Sequence, residues 1–132
     1  MANAPIPPLP YPDEYFDVVY CLSVFTHSNE SMQDLWIEEL SRILKPGGVL
    51  LLTIYGKGVT EGLDEAAKGL LKLNGFVHRS SRKLRGLVPD WYQTTWHSRD
   101  YIENRLSTWL DDIHYYVVAD GLQDFVAGRK SP

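Results

Sequence analysis

Apolar positions along the chain fall into three kinds of run. From Phe16 to Phe25 the sequence Phe-Asp-Val-Val-Tyr-Cys-Leu-Ser-Val-Phe is nearly continuous in apolar, β-branched and aromatic residues, which predicts a strand buried on both faces. A polar break, Thr26 to Glu30, precedes Met32, Leu35, Trp36, Leu40, Ile43 and Leu44; that three-and-four spacing predicts an amphipathic helix. Ser31 with Asp34, or else Ser28, is expected to cap it, and Lys45-Pro46-Gly47-Gly48 to close it. Val49 to Tyr55 then reads as a second buried strand. Strand, helix, strand makes a right-handed βαβ unit with parallel strands.

Beyond Gly58, Leu63, Ala66, Ala67, Leu70 and Leu71 predict another helix ending at Gly75, weakened by Gly62 and Gly69. Residues 76–97 show no period and are expected to be irregular, a lid or a solvated charged loop. Their basic cluster is His78, Arg79, Arg82, Lys83 and Arg85, followed by Trp91, Tyr92 and Trp96. Ser98 opens a short helix reaching Trp109. Ile113–Val118 and Gln123–Ala127 flank Asp120-Gly121, the pattern of an antiparallel hairpin.

Composition then narrows the class. A chain of 132 residues, 44% hydrophobic, suits a single domain, 1–132, with one core. Five prolines within residues 1–12 predict an extended surface arm. The lone Cys21 allows no internal disulfide and favours a reducing, cytoplasmic setting. Thirteen basic residues against seventeen acidic ones give a net charge of -4, which disfavours nucleic acid as a partner. The apolar runs are too short to span a membrane, which takes roughly 20 residues, and the proline-rich start does not look like a secretory leader. No metal-ligand spacing or nucleophile triad stands out.

Three segments carry a resemblance. Leu9-Pro10-Tyr11-Pro12-Asp13-Glu14-Tyr15-Phe16-Asp17-Val18-Val19, then Ser23-Val24-Phe25-Thr26-His27, then Leu44-Lys45-Pro46-Gly47-Gly48-Val49-Leu50-Leu51 resemble the C-terminal half of class I S-adenosylmethionine-dependent methyltransferases. The resemblance implies an α/β fold, a partial Rossmann-like sheet with the equivalents of family strands 4, 5, 7 and 6, strand 7 antiparallel, and flanking helices. It also implies S-adenosylmethionine as cofactor and a small-molecule methyl acceptor. The family's glycine-rich turn after strand 1 and the acidic residue ending strand 2 have no counterpart in these residues.

By position in the family, Asn3 and Ser23 are the cofactor-binding candidates, Asn3 toward adenine and Ser23 at the methionine end. His27, at the end of strand 4, becomes the catalytic candidate, able to orient the acceptor or take its proton. Thr26, Tyr55, Trp96 and His97 would line or close over the acceptor, and the basic cluster would hold a carboxylate or phosphate. With strand 1 missing, Phe16 to Phe25 would form an exposed apolar edge, and self-association through it is expected. The expected function is the acceptor-binding half of a methyltransferase, a fragment inactive alone; the alternative is a non-catalytic module for binding or self-association.

Overall fold

The computed structural model describes residues 5–60, 63–119 and 122–132. Four strands, β1 (Phe16–Cys21), β2 (Leu44–Ile54), β5 (Leu110–Tyr116) and β6 (Asp124–Lys130), form one sheet in the order β1-β2-β6-β5. β1 and β2 are parallel, whereas β6 runs antiparallel to both neighbours. That is the expected 4-5-7-6 arrangement. A separate hairpin pairs β3 (Phe76–Arg79) with β4 (Thr94–His97). The helices are α1 (Glu30–Ile43), α2 (Glu65–Asn74) and α3 (Arg99–Leu106).

Register divides the main sheet into two unlike faces. Val19 pairs with Leu50 and Cys21 with Leu52, which continues to Val126. On that face Ile37, Leu40 and Ile43 of α1 and Ile102 and Leu106 of α3 meet Leu50, Leu52, Ile54 and Val126 in one core. Across it, Arg105 binds Asp34, and the Tyr101 hydroxyl donates to Glu30 at 2.5 Å. The opposite face carries Val18, Tyr20 and Tyr116, each more than half exposed. No helix among the described residues covers it, because α2 packs instead on the hairpin through Leu63, Ala67, Leu71, Val77 and Trp96.

Several expectations are corrected. β1 is an edge strand buried on one face, and it stops at Cys21, where the chain turns through Ser23 with φ 57°. Cys21 is half-buried. Leu35 lies on the solvent side of α1 at 48% exposure. Asn29, rather than Ser28 or Ser31, caps α1, its side chain accepting from the Met32 amide at 3.0 Å. Lys45–Gly48 does not separate helix from strand: β2 already pairs with β1 at Leu44, and the four residues bulge out before pairing resumes at Val49. The bulge needs Gly47 at φ 77°, where an L side chain is strained.

Residues 76–97 are ordered as a hairpin with a long connection, not irregular. The short strands escaped the pattern because each has only four residues. The proline arm is docked rather than free: Leu9 is buried, its amide donates to Glu39 at 2.6 Å, and Arg42 donates to the Tyr11 carbonyl at 2.9 Å. The Arg42 guanidinium, on Glu39 and Asp13, holds the Glu39 carboxyl below its ordinary range. The Asp120-Gly121 turn and Gly62 lie outside the described residues.

Candidate functional site

The carboxyl ends of β1 and β2 open toward the β3–β4 hairpin, the edge at which open α/β sheets bind ligands. Main-chain bonds seat the hairpin there. The Gln93 amide donates to the His27 carbonyl at 2.6 Å, the Thr95 amide to Thr26 at 2.8 Å, and the His97 amide to Tyr55 at 3.0 Å. The Asn29 amide donates back to Trp91 at 2.9 Å.

His27 is half-buried in the resulting cleft. Its Nδ1 stands 2.6 Å from the Gln93 carbonyl, and since a carbonyl only accepts, Nδ1 is the protonated nitrogen. Nε2, on the far side of the ring, has no protein partner among the described residues. Tyr92 packs against the imidazole at 5.0 Å between ring centroids, and Tyr55 stands edge-on at 6.4 Å. The geometry fits a nitrogen that takes a proton from a group lying between the rings.

Beneath this cleft is a buried amide that the sequence reading passed over. Gln33 is 3% exposed; its Nε2 donates to Phe25 at 2.8 Å and Ser28 at 3.0 Å, and its Oε1 accepts from His97 Nε2 at 2.8 Å. Thr95 Oγ1 adds a 2.6 Å bond to the same Ser28 carbonyl. One side chain therefore ties the loop before α1 to the end of β4. The signal was available: Gln33, Ile37, Leu40 and Leu44 follow helical spacing on the inner face, where a polar residue needs a partner.

The other candidates divide. His97 has no exposed surface, and burial drops its pKa to about 3, so it is neutral. It braces Gln33 through Nε2 and also lines the cavity between α2 and the ends of β5 and β6. Thr26 is fully buried with an unpartnered hydroxyl. Tyr55 and Trp96 are half-buried, 6.3 Å apart, with Trp96 Nε1 donating to Val59 at 3.0 Å. They share the His27 wall through Tyr55. In the basic cluster Arg79 is committed to Asp64 at 2.8 Å, while Arg82, Lys83 and Arg85 are exposed on the hairpin connection. Burial pushes the Cys21 thiol up to about 11, which keeps it protonated and a poor nucleophile.

Cofactor and metal fit follow from the same inventory. Ser23 is exposed; its amide donates to Thr53 Oγ1 and its hydroxyl oxygen accepts from Gln123 Nε2, each at 2.8 Å. Asn3 lies outside the described residues. Among the described residues no group of three metal-ligating side chains occurs, and no helix is long and apolar enough to cross a membrane.

Comparison with known proteins adds sequence and fold evidence. The family model described as "Methyltransferase domain" matches residues 1–52. Ubiquinone/menaquinone biosynthesis C-methyltransferase UbiE of Vibrio parahaemolyticus is 38% identical over 60 residues, 43% of this chain and 21% of the relative. The tRNA N(3)-cytidine methyltransferase METTL2 of Gallus gallus is 42% identical over 50 residues, 38% of this chain and 14% of that protein. The chain thus spans about a fifth, or less, of these curated relatives. Among solved structures, a SAM-dependent methyltransferase from Methanosarcina mazei superposes with TM-score 0.60 at 17% identity, over 94% of this chain and 63% of the other. A Haemonchus contortus phosphoethanolamine N-methyltransferase with S-adenosyl-L-methionine gives 0.58 at 17% identity, over 94% and 35%.

Proposed function

We propose, for a chain of the class I S-adenosylmethionine-dependent methyltransferase family, that these residues form the acceptor-binding half of the enzyme and that His27 is its proton acceptor. The family's cofactor is S-adenosylmethionine, the methyl donor when bound. Every other role rests on this chain. Tyr92 and Tyr55 would flank a small-molecule acceptor, Nε2 of His27 would take its proton, and the Gln93 carbonyl would stabilise the imidazolium through Nδ1. That carbonyl contact, 2.6 Å from His27, carries the reading because it selects the tautomer a base requires.

The test is nitrogen-detected NMR of the ring. Neutral His27 protonated on Nδ1 is the expected result; the Nε2–H tautomer would overturn the assignment. In the same reading the chain does not bind the cofactor by itself, since Gly56-Lys57-Gly58, the glycine-rich turn among these residues, follows β2, the equivalent of family strand 5, and not a first strand. Calorimetry with S-adenosylmethionine should therefore show no heat, and saturable binding would refute that part. A cytoplasmic setting belongs to the same reading, because the lone Cys21 can form no internal disulfide.

A second reading, a self-association module, is favoured by β1. Its outer edge pairs with no other strand among the described residues, and Val18, Tyr20 and Leu22 are 58%, 68% and 52% exposed beside it. A second copy adding along Phe16 to Phe25 would satisfy edge and apolar surface together. Sedimentation should show a dimer at micromolar concentration; a monomer throughout would remove this reading.

A further inference from the structure

A cavity of about 1060 Å³ lies between α2, the turn at Lys57–Val59 and the adjoining ends of β5 and β6. His27 and Tyr92 are not among its walls. Its size is that of a small-molecule pocket, for which roughly 300–1,000 Å³ is usual. Leu71 and Val117 supply apolar wall, and four cations line it: Lys57, Lys68, Lys72 and Arg99.

The lining charge is one-sided. Among the described residues lining the cavity the carboxylate is Asp124, which is 3% exposed and accepts from the Tyr115 hydroxyl at 2.5 Å and the Val118 amide at 2.9 Å. Its lone pairs are engaged within the protein. Gly56 permits this, since a Cβ there would meet Asp124 Oδ2 and the Tyr115 hydroxyl. Lys68 has Glu65 at 3.5 Å, and Arg99 lies on Glu103 and over the Tyr115 ring. Lys57 and Lys72 have no ion-pair partner among the described residues. The segment 57–99 holds eight Lys and Arg against four Asp and Glu, whereas the rest of the chain holds five against thirteen. Four of those eight cations line the cavity, and the other four, Arg79, Arg82, Lys83 and Arg85, lie on β3 and the hairpin connection.

We propose that the cavity binds a small amphipathic acid, its apolar body on Leu71 and Val117 and its carboxylate or phosphate between Lys57 and Lys72. Charge-assisted bonds to an anion in a partly apolar site are stronger than neutral ones, and the apolar walls separate such a ligand from inorganic phosphate. The site does not depend on methyl transfer.

Methyl-detected NMR titration tests it, with octyl phosphate, octanoate, 1-octanol and inorganic phosphate as probes. Octyl phosphate or octanoate should move the Leu71 and Val117 signals and bind at least roughly tenfold tighter than either 1-octanol or inorganic phosphate; the stronger of the two identifies the head group. The double variant K57Q/K72Q should lose roughly tenfold in affinity, and K57R/K72R should retain it. Both positions are exposed, so an unchanged thermal midpoint shows that the fold persists. Equal binding of 1-octanol overturns the proposal, as do unchanged affinity in K57Q/K72Q, shifts confined to Val18 and Leu22, or displacement of the signals by a single-stranded oligonucleotide instead of the acids.

Discussion

One strand, β1, shows two fates for the same kind of residue. Val19 and Cys21 point toward α1 and join the core, whereas Val18 and Tyr20, one position away, stand 58% and 68% exposed. Apolarity along the strand is the same on both sides; what differs is whether a helix arrives to cover it. Hydrophobic sequence therefore reports a demand for burial, and topology decides which face obtains it within this chain.

The comparison can be broken at graded strengths. Leu52→Ala, on the covered face with no exposed surface, should cost about 2–5 kcal/mol in denaturant unfolding. Gln33→Leu should follow at about 3 kcal/mol, because it strips partners from His97 Nε2 and from the Phe25 and Ser28 carbonyls; in the same variant the His27 signals should broaden as its loop loosens. The buried imidazole of His97 adds a pH test. Its folded pKa, about 3, lies below the unfolded 6.5, so the unfolded chain gains the proton first as pH falls. Stability present above pH 6.5 should decline by up to about 2 kcal/mol between pH 6.5 and 5, and His97→Phe should flatten that slope. Tyr20→Lys, on the bare face, should change monomer stability by no more than about 0.5 kcal/mol while abolishing any dimer seen by sedimentation.

The sheet was readable because its strands are long runs in a recognisable order, and the carboxyl-edge location of His27 came with them. The hairpin was not, since strands of four residues are too short to leave a period to detect. Lys45–Gly48 misled for a different reason: proline and glycines signal a break, but a bulge inside a strand uses the same residues. The site was legible only in part. His27, Tyr55 and Trp96 stand at one wall, yet the residue fixing the imidazole is a backbone carbonyl, which has no letter in a sequence. The side chains of Thr26 and His97 both turn inward, that of His97 to a polar network whose centre, Gln33, looked like an ordinary helix residue.

The clasp on the β3–β4 hairpin is made in large part through main-chain amides, Gln93 and Thr95 to the loop before α1 and His97 to Tyr55 at the end of β2. Side chains along the 80–90 stretch are thereby released from holding the hairpin in place. That stretch can exchange residues, lengthen or change polarity over evolutionary time and so retune what enters, while the imidazole beneath keeps its orientation.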